Sequence, residues 1–585
     1  MNGHDLVVIA LSGVQRYIEE SRTTADAANA SDIVARLAVE AAALLKRDDG
    51  TELVIPSEAD PDAAPNRIVA LAPAGRGVEL ARASAEVMRA RWREWSALLF
   101  GEVRDTPGFP EIMWSVSPAS DDGYARQWTE AQTTLAARKR LRAFDYPERT
   151  GTRPCAVSPR WPSEKSAPRG TPRHERRSEL SAAVWLKRRW HTLSPSRKDG
   201  TDTRSKGFPS TVSIASAPFR AEVLRRWDAP GVRDLVVELR STAREVMGEE
   251  RSRMLESAVP ALDRQVGGDE LRQWFVHGAG WWVVPGTWNA ETLTHEYRVT
   301  EHQGEPAAPV DPRTAARGKH AAEALAEAVG HRANPYYAVL TADLDGLGEH
   351  LSADPLTHGR HQQVSRRLAK LSRAHRRSIQ EGHSGVAVYS GGDDLMAFLP
   401  AATALEAAQA CRKEVGDDPT TLSCAVVFAH QGFPLHEAIS RARELLQEAK
   451  EVPHKNAVAV GYITGSGARS HTVRPWSSDW VDDALGTLRT FKPRAGEAPR
   501  SGEGLSPRLI NDLYSERTAL ARLADGAHNN IYEGEVTRLV RRHGGSEQDA
   551  RHLLNLGRSE HGGQAHAPVP LAASRVAVFL RRQAW

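Results

Sequence analysis

Two adjacent carboxylates, Asp393 and Asp394, follow a glycine pair in the run Ser390-Gly391-Gly392-Asp393-Asp394, between apolar stretches at 386–389 and 395–399. Strands joined so tightly need a positive φ at the turn, which glycine adopts without steric cost. Carboxylates a few ångströms apart raise one another's pKa, so an ionised pair at a hairpin tip calls for a counter-ion. A divalent cation removes that conflict, and Mg²⁺ takes one or two carboxylates together with phosphate oxygens. The run therefore predicts a nucleotide and metal site, although a glycine–acid turn alone suits a solvated surface equally well. A second acidic pair strengthens the reading. The apolar run 336–342 ends in Asp343-Leu344-Asp345-Gly346, and alternation along a strand puts Asp343 and Asp345 on one side of its end. An EF-hand loop is excluded, because its three oxygen positions before the glycine and its twelfth-position acid are missing.

The surrounding periodicity supplies the elements that would hold these groups. Strands are expected at 336–342, 385–390, 394–399, 422–428 and 457–463, and helices at 344–352, 361–379, 402–415 and 434–450. That order predicts a ferredoxin-like α+β layer, the palm of polymerases and nucleotide cyclases. Asp343, Asp393 and Asp394 would converge there as catalytic and metal-binding residues, with Asp345 as a further ligand. Lys455, just before the last strand, is placed either to meet a triphosphate or to be a solvated loop lysine. Residues 1–140 predict a first palm-like layer, with strands near 5–11, 52–55, 67–71 and 110–115 and no Gly-Gly-Asp-Asp turn. Residues 141–325 read as a mainly helical middle domain, 326–472 as the catalytic palm and 473–585 as a helical C-terminal domain. Loops are expected at 465–470 and 493–505. The aromatic residues Trp274, Phe275, Trp281 and Trp282 are expected to pack in a core or an interface.

The residues 337–348, 390–394 and the run from Arg441 to Val460 resemble the palm of the CRISPR polymerase, the large subunit of type III CRISPR effector complexes. The segment 7–18, with Gly13-Val14-Gln15 after a strand, is similar to that family's first palm. The segment 207–215 is similar to its III-B branch. The resemblance implies synthesis of cyclic oligoadenylate from ATP, triggered when target RNA pairs with a guide CRISPR RNA, alongside other type III effector subunits. It implies Mg²⁺ or Mn²⁺, as one ion or a pair, held by Asp343 and Asp393 with Asp394 as a further ligand. Ser390, Gly391, Gly392 and Lys455 would contact the nucleotide. Two other readings stay open: a catalytically silent scaffold that only organises guide RNA and small subunits, and a template-directed polymerase.

Many members of that family begin with an HD nuclease domain. Here the palm-like strand starts at Asp5, so that domain is expected to be absent. The family's middle domain often holds a zinc ribbon of two cysteine pairs. Only Cys155 remains at that place, and no structural zinc is expected. The other two cysteines, Cys411 and Cys424, lie far away, which also excludes a disulfide framework. No signal peptide or stretch of roughly 18 apolar residues is visible, so a cytoplasmic protein is expected, with no membrane as partner. The net charge of +3 conceals an asymmetry. From Arg138 to Lys206 there are 19 Lys and Arg against 7 Asp and Glu, a pattern expected where phosphates are contacted. Within it, the Pro-rich 150–178 is expected to be disordered, and Lys187, Arg188 and Arg189 on a helix-like stretch are expected to touch RNA or another subunit.

Overall fold

The computed structural model describes residues 3–58, 60, 65–141, 153–171, 175–193, 208–248, 258–298, 308–416, 419–476, 485–491, 505–524, 529–560 and 568–584. Its architecture is the expected mixed α+β one, built on two sheets.

The first sheet contains β1 (His4–Ser12), β2 (Glu52–Ile55), β3 (Arg67–Pro73) and β4 (Glu111–Ser117), in the order β2-β3-β1-β4 with every neighbour antiparallel. Gly13 at φ +70° turns the chain from β1 directly into α1 (Val14–Glu19). The next helix, α2 (Thr24–Arg47), starts with a capping box in which Thr23 and Asp26 satisfy each other's backbone amides. Helices α3 (Gly77–Phe100) and α4 (Gly123–Arg140) complete the layer.

Beyond it, α5 (Ala182–Arg189) opens a mainly helical region. The segment 153–171 is ordered rather than disordered. Cys155, Ser158 and Trp161 are buried, Trp161 Nε1 donates to Pro107 O at 2.9 Å, and a short bridge joins Pro154 to Pro162. Its prolines stiffen a strap laid across the first layer, and the burial of Trp161 and Cys155 offsets the cost of ordering it. Trp274, Phe275 and Trp282 are buried as expected, and Trp281 stacks against Tyr297. Of the basic segment, Arg142, Arg173, Arg197 and Lys198 lie outside the described residues. So does most of the loop expected at 493–505.

The second sheet has the order β10-β9-β8-β5-β7-β6, formed by β5 (Tyr336–Asp345), β6 (Val386–Gly391), β7 (Asp394–Pro400), β8 (Thr421–His430), β9 (Ala457–Ile463) and β10 (Arg469–Pro475). Between them run α6 (His358–Arg377), α7 (Ala404–Val415) and α8 (Leu435–Glu451). The order β8-β5-β7-β6 repeats that of the first sheet, the ferredoxin-like arrangement the sequence predicts. Both faces are covered, which is why its strands read as continuous apolar runs. Tyr337, Val339 and Phe398 face α8 and the first layer's core. Ala338, Leu340 and Leu399 face α7 and the C-terminal helices, including α9 (Leu571–Gln583). The loop expected at 465–470 is present as a turn over 464–468, and β10 takes up the chain from Arg469. Its polar residues carry no apolar alternation. It forms because its backbone pairs with β9 from Arg469↔Ile463 to Pro475↔Ala457.

Candidate active site

The hairpin and the end of β5 meet by strand register. Asp343 on β5 lies directly opposite Asp394 on β7, and the ladder continues into the turn, where Leu344 N donates to Asp393 O at 3.1 Å. Gly392 takes the positive φ, +64°, that the turn requires, while Gly391 pairs with Asp394. Three carboxylates thus share one end of the sheet. Asp343 Oδ2 is 2.5 Å from Lys450 Nζ, at the last turn of α8. Asp394 Oδ2 accepts a hydrogen bond from Gln15 Nε2 at 3.3 Å.

The charges do not balance. Three carboxylates meet the Lys450 ammonium and, acting on Asp393, the Arg67 guanidinium, and the pKa values of Asp393 and Asp394 register the remaining excess. Desolvation, then the charges of Asp393 and Asp343, push Asp394 up to about 7, against which the Gln15 hydrogen bond acts in the other direction. Desolvation at the narrow turn, then the charge of Asp343, also raises Asp393 above the usual carboxylate range. Hard oxygen donors holding surplus negative charge fit a Mg²⁺-type ion. Among the described residues no three His, Cys, Asp or Glu side chains form an all-protein metal cage. The donor set therefore suits an ion that keeps phosphate oxygens and water among its ligands.

Two open clefts flank Asp394, and the first layer walls both. One, of about 670 Å³, is lined by Gln15, Ser31, Asn66, Arg376, Gly391 and Asp393, among others. The second, of about 880 Å³, is lined by Gln15, Glu19, Asp343, Ser440, Arg443 and Gln447, among others. Helix α1 is the shared wall. Its Glu19 pairs with Arg443 on α8 at 2.5 Å, and Arg443 also reaches the Tyr389 hydroxyl at 3.4 Å. The first palm-like layer carries no comparable carboxylates, yet it completes the site of the second.

Several sequence-derived assignments change. Asp345 was expected to bind metal. Its Oδ2 instead accepts from Thr421 Oγ1, Ser423 Oγ and Asn456 N at 2.8, 2.9 and 3.0 Å, fastening β5 to the starts of β8 and β9. Ser390 does line the first cleft, but its hydroxyl donates to Ser372 O on α6 at 3.1 Å. Lys455 lines neither cleft. It sits in a left-handed turn with His454 and Asn456 before β9, and β8 separates that strand from β5.

The basic trio on α5 is turned inward. Lys187 is fully buried, with Nζ donating to Tyr17 O at 2.9 Å and also bonded to Glu20 O. Arg188 makes a bidentate pair with buried Asp26, at 2.6 and 2.7 Å, and Arg189 donates to Gly170 O. Lys187 therefore cannot be an RNA contact. Lys187 and Arg188 close the C-terminal end of α1 and the start of α2, while Arg189 fastens α5 to the strap.

Sequence reasoning missed Lys450, Gln15, Glu19 and Arg443. Lys450 carried a usable signal, being the last cation of a helix whose end abuts the acidic edge of the sheet. Gln15 and Glu19 lie more than 300 residues from their partners, and no local pattern reports such a pairing.

A ferredoxin-like palm with a carboxylate-bearing hairpin places the second sheet in the class of palm domains. Residues 336–459 match the family model described as Cas10/Cmr2, second palm domain. The chain is 31% identical over 174 residues to the CRISPR system Cmr subunit Cmr2 of Pyrococcus furiosus. That alignment covers 24% of this chain and only 20% of the relative's length. The fold is also similar to a chain of the type III-B Cmr-beta apo state, with a TM-score of 0.58 and 13% identity, covering 92% of this chain and 77% of that one. A chain of type III-B Cmr-beta bound to cognate target RNA gives a TM-score of 0.59 at 13% identity, over 92% and 78% of the two chains. Among the described residues no helix is long and apolar enough to cross a membrane.

Proposed function

We propose that this protein is the large subunit of a type III CRISPR RNA-guided effector complex. In this reading its hairpin site makes cyclic oligoadenylate from ATP when target RNA binds. The observation that carries the proposal is the register of Asp343 against Asp394, with Asp393 at the adjoining turn and a net negative surplus. The likeness to Cmr2 and to the Cmr-beta chains supports the assembly with guide RNA, target RNA and other effector subunits.

Asp343, Asp393 and Asp394 would hold the divalent cations, Mg²⁺ or Mn²⁺. Bound there, a pair of such ions supplies a lowered hydroxyl pKa for the attacking ribose and charge neutralisation for departing pyrophosphate. Gln15 holds one oxygen of Asp394, which fixes the direction in which that carboxylate points. Lys450 does the same for Asp343. The backbone at Gly391, with no side chain in the way, leaves the first cleft open to a triphosphate, and Arg376 also lines that cleft.

The test incubates the purified complex, guide and target RNA with labelled ATP or GTP and Mg²⁺. Oligoadenylate should form, and Asp393→Ala with Asp394→Ala should abolish it while leaving complex assembly intact. If no oligonucleotide forms, or the double variant is as active as the wild type, the enzymatic reading fails. A scaffold-only subunit then remains, and the Lys450–Asp343 ion pair is the observation that favours it.

A further inference from the structure

Helix α6 carries Arg360, Arg366, Arg367, Lys370, Arg373, Arg376 and Arg377 and has no Asp or Glu. Four of these, Arg366, Lys370, Arg373 and Arg377, are exposed. Their spacings of four, three and four residues put them in one stripe along the helix. Arg373 approaches Asp60 at 3.5 Å. Arg366, Lys370 and Arg377 make no ion pair or hydrogen bond among the described residues. The stripe borders a hollow of about 960 Å³ with an apolar floor of Leu371, Ala374 and Val415 and a single acid, Glu414, at its rim. Like charges at such spacings repel and weaken a helix, so the pattern is not explained by folding. An external polyanion would resolve the repulsion.

We propose that this ridge binds the phosphate backbone of a single-stranded nucleic acid. From Arg366 to Arg377 the helix rises ~16 Å, enough to follow several successive phosphates of one strand. Flexible Lys and Arg side chains on one exposed line track a backbone without reading its bases. The apolar floor gives unstacked bases a surface to lie on. The opposite face of the same helix is tied to the carboxylate hairpin, because Ser372 and Ser390 each bond the other's carbonyl. The ligand would therefore sit one helix diameter from the turn that carries Asp393. The inference rests on charge pattern and exposure, and stands whether or not the hairpin is an enzyme.

The experiment measures fluorescence anisotropy of labelled oligouridylate against the full chain across a series of KCl concentrations. Wild type is compared with Arg366→Gln/Lys370→Gln/Arg377→Gln. Each phosphate contact contributes about 0.7 to the salt slope for a single strand, so losing three should lower the slope by about 2. Affinity at low salt should fall at least about tenfold. The Asp393→Ala/Asp394→Ala variant should bind as the wild type does. If the triple variant melts early, Lys370→Glu alone should still lower the slope, and 4-thiouridine RNA should crosslink to α6 of the wild type. An unchanged slope, or crosslinks only elsewhere, overturns the proposal. So does a labelled polyglutamate that binds more tightly than the RNA, which would make the ridge a docking face for an acidic protein.

Discussion

Lys187 is the buried group whose removal most directly tests how the site is supported. Its ammonium meets the carbonyls of Tyr17 and Glu20 and the hydroxyl of Ser21, and lies over the Tyr17 ring at 4.8 Å. These acceptors end α1, where a cation is favoured by the helix dipole. Lys187→Met leaves them unpaired, at about 1–3 kcal/mol for each buried polar group, partly offset by no longer desolvating a charge. A net loss of about 2 kcal/mol is expected.

The pH dependence separates this cause from a packing defect. Burial pushes the Lys187 amine down to about 8, against about 10.4 in the unfolded chain. Between those values the unfolded state holds a proton that the folded state has released, so stability rises with pH across the window. From pH 7 to pH 9 the wild type should gain about 1 kcal/mol relative to the methionine variant. Cys155, buried nearby, provides the probe. Its thiol-labelling rate, read by mass spectrometry of its peptide, reports opening of the contact between α5 and α1. The variant should label about thirtyfold faster at pH 7, and that ratio should widen about tenfold by pH 9, apart from the common thiol chemistry. A ratio independent of pH would refute the claim that a buried, titrating amine caps α1.

Asp345→Ala should act on stability rather than on metal affinity, because it strips the acceptor from Thr421, Ser423 and the Asn456 amide. A loss of about 2–4 kcal/mol is expected, read as a lower melting temperature, with Mn²⁺ binding by the folded fraction unchanged. Gly392→Ala should cost about 1 kcal/mol through its φ of +64°. An added Cβ would meet only Pro65 at 3.6 Å, so the crystal structure of the variant should show the turn in place, and a collapsed turn would contradict this.

The second layer was legible because burial on both faces leaves strong apolar runs, and because a glycine–acid hairpin is a local pattern. The convergence of Asp343 with Asp393 and Asp394 followed from topology alone. Charge was the poor guide. Lys187 and Arg188 stand in a basic run, yet their partners Tyr17, Glu20 and Asp26 lie more than 160 residues away, so composition suggested a solvent face where the structure has a sealed contact. The stripe on α6 shows the opposite error: seven cations without an acid were visible in the sequence, but only the fold shows which of them face solvent. The structural bonds of Asp345 Oδ2 were hidden for a related reason. Alternation gives the side of a strand correctly, but it cannot say which of two neighbouring strands the carboxylate will serve.

The first layer explains a feature the hairpin leaves open, which is how a site at the exposed tip of a turn acquires walls. Neither cleft beside Asp394 exists without α1, since Gln15 lines both. Helix α1 has only six residues, too short to hold its shape alone. Contacts from outside hold it instead, among them Lys187 and Ala183 of the middle region, Arg160 on Glu20 at 3.1 Å, and Arg443 on Glu19 from the second layer itself. Any displacement of the middle region must therefore move Gln15 relative to Asp394, because the same short helix carries both contacts. A layer without catalytic carboxylates is thus a structural requirement of the carboxylate site, and the strap at 153–171 belongs to that support as much as the sheet does.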